Sequence, residues 1–424
     1  MSERVTSGAV NSHCLEHIMV LAEQHDIVAA EDIVDDRGIK LWAKGQKVSR
    51  SLQEKLMRRR LARPLETALT VDGGIVAEQV VGECLRLLDG NDLMRRLCGS
   101  AAARSLLSGF RDTPLPGPFK LLLTSARETG LATYQHSLYG IGICAGIAAR
   151  LNLSDDTAQR LLLAALLHDI GELYVDPGYI RSTRRLAPSE WRQVAVHPRI
   201  GQMLIEELTS LPAAIGNAVA EHHERLDGSG YPAQHNGDGI SRLGRIMAVA
   251  DTTAAIAPNS SADGSERLAV ALRIVPEEFD HATVGALIEH LERAPAAAPA
   301  EDALARIRRV VERLETSTEA ARNLAERSGS KVAADTCGYV LAALHLLDKA
   351  LCATGAAEIE HLGDVAADPA LLAEIWLVAR EVEWRLRNLA RSIYLRVHIN
   401  HDGQDLELVL PLIEALDSPL TCAN

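Results

Sequence analysis

The stretch Leu161-Leu162-Leu163-Ala164-Ala165-Leu166-Leu167-His168-Asp169-Ile170-Gly171 attaches an ionisable pair to seven consecutive apolar residues. A run of that kind reads as a buried helix, with Gly171 as its stop. The pair is thereby carried into a low-dielectric interior, where a carboxylate without a partner is costly. The partner has to come from elsewhere in the chain.

Working outward, five of the 15 histidines fall between His136 and His223. His136 precedes a Gly/Ala-rich helix, His197 is followed by Pro198, and His222-His223 lead into Glu224-Arg225-Leu226-Asp227-Gly228-Ser229-Gly230-Tyr231-Pro232. Asp251 closes the series after the apolar Ile246-Met247-Ala248-Val249-Ala250. Taken singly, each histidine is best read as a satisfied core residue. Together, five His and two Asp on apolar helices need a common partner, and a metal centre is the simplest one. Imidazole and carboxylate without thiolate suit Fe, Mn or Zn, and the adjacent His168 and Asp169 can serve two neighbouring ions. A phosphodiester is itself anionic, so two cations that bind its oxygens and acidify water supply charge neutralisation and a nucleophile together. No side-chain nucleophile is then required.

The chain has 424 residues, enough for two or three domains. Hydrophobic residues make up 47% but aromatics only 3%, so the core is built from Ala, Leu, Val and Ile, and a mainly α protein is expected. Disorder and fibre are excluded. A net charge of −13 disfavours nucleic acid polymers and anionic membranes, so an anionic substrate needs a local positive site. The seven cysteines (14, 84, 98, 144, 337, 352, 422) form no C-x-x-C pair, which speaks against a disulfide framework and fits a reducing compartment. No apolar run approaches the roughly 20 residues of a membrane span, and no secretory signal opens the chain, so a cytoplasmic protein is expected.

Residues 1–113 are read as an N-terminal region with a small independent hairpin and helix unit at 27–65. Ile39, Leu41 and Ala43 alternate after the turn Asp35-Asp36-Arg37-Gly38, and a helix starts at Ser49 or Ser51, where Ser51-x-x-Glu54 has the capping-box form. The cations Lys55, Arg58, Arg59, Arg60 and Arg63 on that helix read as a solvated face. Pro114, Pro116 and Pro118 mark a break, beyond which a helical domain runs over 119–291. The Ala/Pro segment 294–300 reads as a linker to a C-terminal part at 301–424. There Leu304, Ile307, Val311 and Leu314, and then Leu372, Ile375, Ala379, Val382, Leu386, Leu389 and Ile393, repeat at threes and fours, as in a helical bundle or a dimerising coiled coil. An apolar stripe otherwise facing water predicts a homodimer through these helices.

His168-Asp169-Ile170-Gly171 and the run from His222 to Pro232 resemble the two signatures of the HD-GYP family, a branch of the HD phosphohydrolases, with likeness from about Phe119 to Leu291. The resemblance implies an all-helical domain with an iron or manganese centre that hydrolyses cyclic di-GMP to pGpG and sometimes to GMP. Carried over by position, the metal ligands are His136, His168, Asp169, His197, His222, His223 and Asp251, with Asp169 bridging and the His168/Asp169 pair catalytic. Glu172, Arg225, Asp227, Gly228, Gly230, Tyr231 and Pro232 fall at substrate-binding positions. The 27–65 unit resembles the short region that precedes this domain in some members.

Departures from the family pattern matter equally. Glu172 stands where many members have a phosphate-holding Lys, and Thr252 to Asn259 replaces a segment that supplies phosphate contacts. Ala132 stands where three-metal members place a Glu, so two divalent ions are expected. A weakened member that senses nucleotide or binds partners is the alternative reading, and another cyclic dinucleotide or phosphoester the alternative substrate.

Overall fold

The computed structural model describes residues 9–130, 132–182, 184, 186–259, 264–289, 291, 303–354, 369–400 and 403–417. The linker read at 294–300 and Cys422 lie outside the described residues.

The N-terminal part comprises α1 (Ser12–Ala22), β1 (Ile27–Ala29), β2 (Ile33–Val34), β3 (Lys40–Trp42), α2 (Arg50–Leu56), α3 (Leu65–Ala68) and β4 (Leu69–Val71). The expected hairpin is β2 paired antiparallel with β3, and its turn is fixed by the Asp35 carboxylate, which accepts from the backbone N–H of Arg37 (3.1 Å) and Ile39 (2.8 Å). β1 pairs antiparallel with β4, so the strand-bearing part reaches Val71. The capping box expected at Ser51 is absent: Ser51 lies inside α2, Ser49 is the N-cap, and the two hydroxyls bond to each other at 2.8 Å. Of the expected cations only Lys55 lies on α2, which ends at Leu56; Arg59 and Arg63 lie beyond it and pair with Asp35 and Glu31 of the same part.

Helix begins before the proline break rather than after it, with α4 (Ala77–Gly90), α5 (Asp92–Cys98) and α6 (Ala101–Phe110). Pro118 then sits in the first turn of α7 (Gly117–Glu128), where a missing N–H is harmless. α8 (Ala132–Arg150) is apolar nearly all round and is the central helix, packed on α4, α5, α6 and α9 (Asp155–Leu167). α9 is the predicted buried helix, started by the Ser154 hydroxyl accepting from Thr157 N and by Asp155 and Asp156 at the positive end of its dipole. A 3₁₀ turn (Ile170–Tyr174) follows, then α10 (Pro177–Ile180), α11 (Pro188–Ala195), α12 (His197–Leu208), α13 (Ala213–Glu221), α14 (Arg242–Ile256), α15 (Gly264–Arg273) and α16 (His281–Ile288). One hydrophobic cluster runs from Cys14 to Ile288, so the N-terminal part and the central helices share a core.

The C-terminal part is a bundle of α17 (Ala303–Arg327), α18 (Lys331–Cys352), α19 (Pro369–Asn400) and α20 (Gly403–Leu416). Ile307, Val311, Leu314, Ile375, Ala379, Val382, Leu386, Leu389 and Ile393 are all buried in its core. The apolar stripe is therefore covered within the chain, and the argument for a homodimer from a bare stripe falls away. Trp191, Tyr231 and Val275 of the central part pack against the bundle core, which seats α19 beside the histidines. The seat is fastened by Arg385 of α19, which donates to Glu278 (2.7 and 3.1 Å), to Glu381 (3.1 Å) and to the Ala271 carbonyl (2.7 Å).

Candidate metal centre

Three of the histidines occupy helix ends. His168 is the C-cap of α9, His222 the C-cap of α13, and His197 follows α11 at the start of α12. Each ring is pinned by its Nδ1–H donating to the carbonyl three residues back: Ala165 (2.9 Å), Val194 (2.8 Å) and Val219 (2.6 Å). A carbonyl can only accept, so Nδ1 carries the proton in all three, and Nε2 faces inward as the ligand atom. The helix ends thus satisfy orphan carbonyls and aim three imidazoles at the Asp169 carboxylate, His197 and His222 at one oxygen and His168 at the other.

Asp169 lies between two groups. Its Oδ1 is 3.2 Å from His197 Nε2 and 3.3 Å from His222 Nε2, while its Oδ2 is 3.1 Å from His168 Nε2 and 3.9 Å from His136 Nε2. Asp251 belongs to the same cluster, 2.9 Å from His136 Nε2 and 3.3 Å from His223 Nδ1. Asp169, His197, His222 and His223 offer ligand atoms within 4.8 Å of one another, and so do His136, His168 and Asp251.

The cluster fits cations better than protons alone. His197 Nε2 and His222 Nε2 are 3.3 Å apart, and in the neutral rings both are lone pairs aimed also at a carboxylate oxygen. His168 Nε2 is fully buried and, despite its proximity to Asp169, has no aligned hydrogen-bond partner. Burial, and then the neighbouring His222, push the His223 imidazole down to about 3, which leaves it neutral and free to ligate. Burial also opposes a charge on His168, but Asp169 outweighs it and raises that ring to about 9; a divalent ion would displace the proton so held.

The loop after His223 supports the site from behind. Glu224 is buried, and its Oε1 accepts from Ala233 N (2.7 Å) and Gln234 N (3.1 Å). Asp227 is exposed and closes the turn by accepting from Ser229 N (2.9 Å), with Gly228 at φ +77°. A Cβ at Gly230 would lie 2.5 Å from Arg225 N and from Glu224 Cα, so the loop backbone rests directly on the His-His segment. Tyr231, joined to Pro232 by a cis peptide, packs its ring 4.6 Å from that of His223. The Arg225 guanidinium donates to the carbonyls of Glu224 (2.9 Å) and His222 (3.3 Å) and to Thr252 Oγ1 (3.3 Å). Glu172 lines the cleft, with its carboxylate accepting from the Thr133 hydroxyl at 2.6 Å. Burial, and then Asp169, push the Glu172 carboxyl up to about 7. Ala132 also lines the cleft and offers no ligand atom.

Gly171 is not the helix stop expected of it. α9 ends at Leu167, and Gly171 lies in the 3₁₀ turn, where a Cβ would collide with the His197 carbonyl oxygen. Its hydrogen atom lets α12 approach closely enough to bring His197 to Asp169. Thr133 and Trp191 were not singled out from the sequence; no local pattern marks them, because their neighbours in the cleft are distant in the chain.

An all-helical fold with a His-Asp pair at a helix end and further histidines converging on it defines an HD-type domain. A family model of the HD domain matches residues 122–282. The HD-GYP resemblance read from the sequence is borne out by relatives. A cyclic di-GMP phosphodiesterase of Pseudomonas aeruginosa is 30% identical over 189 residues, 44% of this chain and 46% of that protein. A 3'3'-cGAMP-specific phosphodiesterase of Vibrio cholerae is 35% identical over 133 residues, 31% of this chain and 29% of that protein. RpfG of Xanthomonas campestris, a cyclic di-GMP phosphodiesterase response regulator, is 36% identical over 106 residues, 25% of this chain and 28% of its own length. The chain thus spans less than half the length of these relatives.

Proposed function

We propose that the chain is a metal-dependent phosphodiesterase that hydrolyses a cyclic dinucleotide, with cyclic di-GMP cleaved to pGpG and sometimes on to GMP. The observation that carries this reading is Asp169, whose two oxygens face two separate histidine groups, as a carboxylate bridging two ions requires. The ligands are His136, His168, Asp169, His197, His222, His223 and Asp251, and the ions are two, iron or manganese. When bound, they supply Lewis-acid neutralisation of the phosphodiester and a nucleophilic water at neutral pH. The chain's own contribution is to fix three imidazoles through their Nδ1–H bonds and to hold His223 against Tyr231. We assign the catalytic domain to 119–291, the N-terminal region to 1–113 and the helical bundle to 301–424.

Among the described residues no helix is long and apolar enough to cross a membrane, and the described cysteines are free. We place the protein in the cytoplasm. The reading is tested with anaerobically purified whole chain loaded with Fe or Mn and assayed on cyclic di-GMP and 3'3'-cGAMP; no hydrolysis of either under any loading would remove it. Glu172, a carboxylate held in the cleft, favours a second reading as a weakened enzyme that binds the nucleotide and releases it slowly. Tight binding with negligible turnover would select that second reading.

A further inference from the structure

We propose that α19 is the second wall of the substrate site, with Arg387 and Arg391 holding the phosphate of the cyclic dinucleotide that is not being cleaved and Trp384 stacking on one of its bases. This rests on the cyclic-dinucleotide reading above.

The first observation is a stripe. Arg380, Trp384, Arg387 and Arg391 recur at i, i+4, i+7 and i+11, one face of a helix. The apolar face of α19, at Val382, Leu386, Leu389 and Ile393, is displaced by two positions, about 200° around the axis, and is buried in the bundle. The cationic and aromatic face is thereby turned to the other side, and all four of its residues line the cleft that also holds His136, Asp169, His223 and Asp251. That cleft measures about 620 Å³, within the range of roughly 300–1,000 Å³ that takes a ligand of this size.

The second observation is charge. The part carrying the metal ligands brings Asp169, Glu172 and Asp251 to the cleft together with Arg225 and Arg267, and the bundle wall brings five arginines (306, 380, 385, 387, 391) against Glu381 and Glu383. On a chain of net charge −13 this is a local reversal of sign. A cyclic dinucleotide has two phosphodiesters, and only one can sit at the ions during cleavage. The other keeps its charge and needs a cation within the cleft, for which a guanidinium fork is the fitting partner. Glu383 orients part of this wall, at 3.2 Å from Arg306 and 3.5 Å from Arg387, while Arg391 is stacked over Trp191 at 4.3 Å.

The third observation is Trp384, 40% exposed and lining the cleft. A solvent-facing indole between an arginine wall and a metal centre is a platform for a purine.

The test uses the metal-loaded whole chain and its Arg387→Gln, Arg391→Gln, Arg387→Lys and Trp384→Ala variants. Each Gln variant is expected to raise KM for cyclic di-GMP about ten-fold with a much smaller change in kcat, as loss of one charge-assisted bond predicts, and Arg387→Lys to recover part of it. Calorimetry of cyclic di-GMP binding to metal-free protein should show the same order of loss, and Trp384→Ala should weaken binding there as well. An active wild type whose KM and binding are unmoved by both Gln variants overturns the proposal and leaves the cyclic-dinucleotide reading standing. Equal loss in Arg387→Gln and Arg387→Lys, with a lowered melting midpoint in both, assigns Arg387 to structure and overturns its role. A wild type that neither binds nor cleaves the dinucleotide removes both claims.

Discussion

Asp169 and Glu172, one turn apart, show how position within one cleft separates two carboxylates. Asp169 is surrounded by four imidazoles and is the group around which the cluster is ordered. Replacing it by Asn keeps the shape and removes the charge, so metal content should fall from about two ions per chain to less than one and hydrolysis should be lost, while the helical circular dichroism is retained. Metal analysis beside circular dichroism checks this; unchanged metal content would end Asp169's role as a bridge. Glu172 is the opposite case, because burial pushes its carboxyl from an ordinary 4.5 up to about 7. The folded metal-free protein then binds a proton that the unfolded chain releases, so the contribution of Glu172 to stability is full below about pH 4.5 and is lost as pH rises through about 7. Glu172→Gln removes this penalty and can still accept from Thr133. Its melting midpoint in the metal-free state should match the wild type near pH 4.5 and exceed it at pH 8, by an amount worth at most a few kcal/mol. A constant offset across that range would show that the carboxylate is not the cause.

At the scale of the element, the site is assembled by helix ends, and Gly171 sets how closely two of them meet. In Gly171→Ala the new methyl collides with the His197 carbonyl, and α12 must withdraw. Overpacking of this kind costs about 1–3 kcal/mol, so the melting midpoint should drop by several degrees, and the displaced His197 should weaken metal uptake. A drop in stability with metal uptake unchanged would mean that His197 follows the shift without leaving the centre. Gly171 also marks the limit of what the sequence discloses. The buried α9 and its His168-Asp169 end were legible, since seven apolar residues and an ionisable pair are neighbours in the chain. The two-strand hairpin was legible for the same reason, through its turn residues. The purpose of Gly171 was not, because the atom that forbids a side chain there belongs to His197, and a glycine after a helical run carries the same local signal as a stop. Ser51 misled similarly: its spacing to Glu54 has the capping form, but Ser49 takes the N-cap and draws the Ser51 hydroxyl to itself.

At the scale of the molecule, the bundle and the metal-bearing part are held in register by a buried charge cluster that the sequence did not reveal. Arg385 and Glu278 are separated by 107 positions, and each taken alone reads as one more charge on a solvated helix face. In the folded chain both are more than nine-tenths buried, with Glu381 completing the cluster. Arg385→Ala removes the cation hydrogen-bonded to Glu278 and Glu381 and leaves these carboxylates only Arg225 and Arg267, each 3.8 Å away, a loss of up to about 3–5 kcal/mol for a buried pair broken on one side. Burial already pushes the Glu278 carboxyl above its ordinary value, with Arg385 opposing the rise, so removing Arg385 should raise it further. A carboxyl raised in the folded state stabilises most at low pH and loses that contribution as pH climbs through the folded value, so the variant's deficit should be smaller at pH 5 than at pH 8. Hydrogen exchange of the whole chain localises the effect. Amides of α17, α18, α19 and α20 should exchange faster in the variant, while those of α8, α9, α13 and α14 keep their protection, because the two parts have separate hydrophobic clusters joined at this seam. Equal loss of protection in both parts would instead make the two clusters a single cooperative unit, with the charge cluster internal to it.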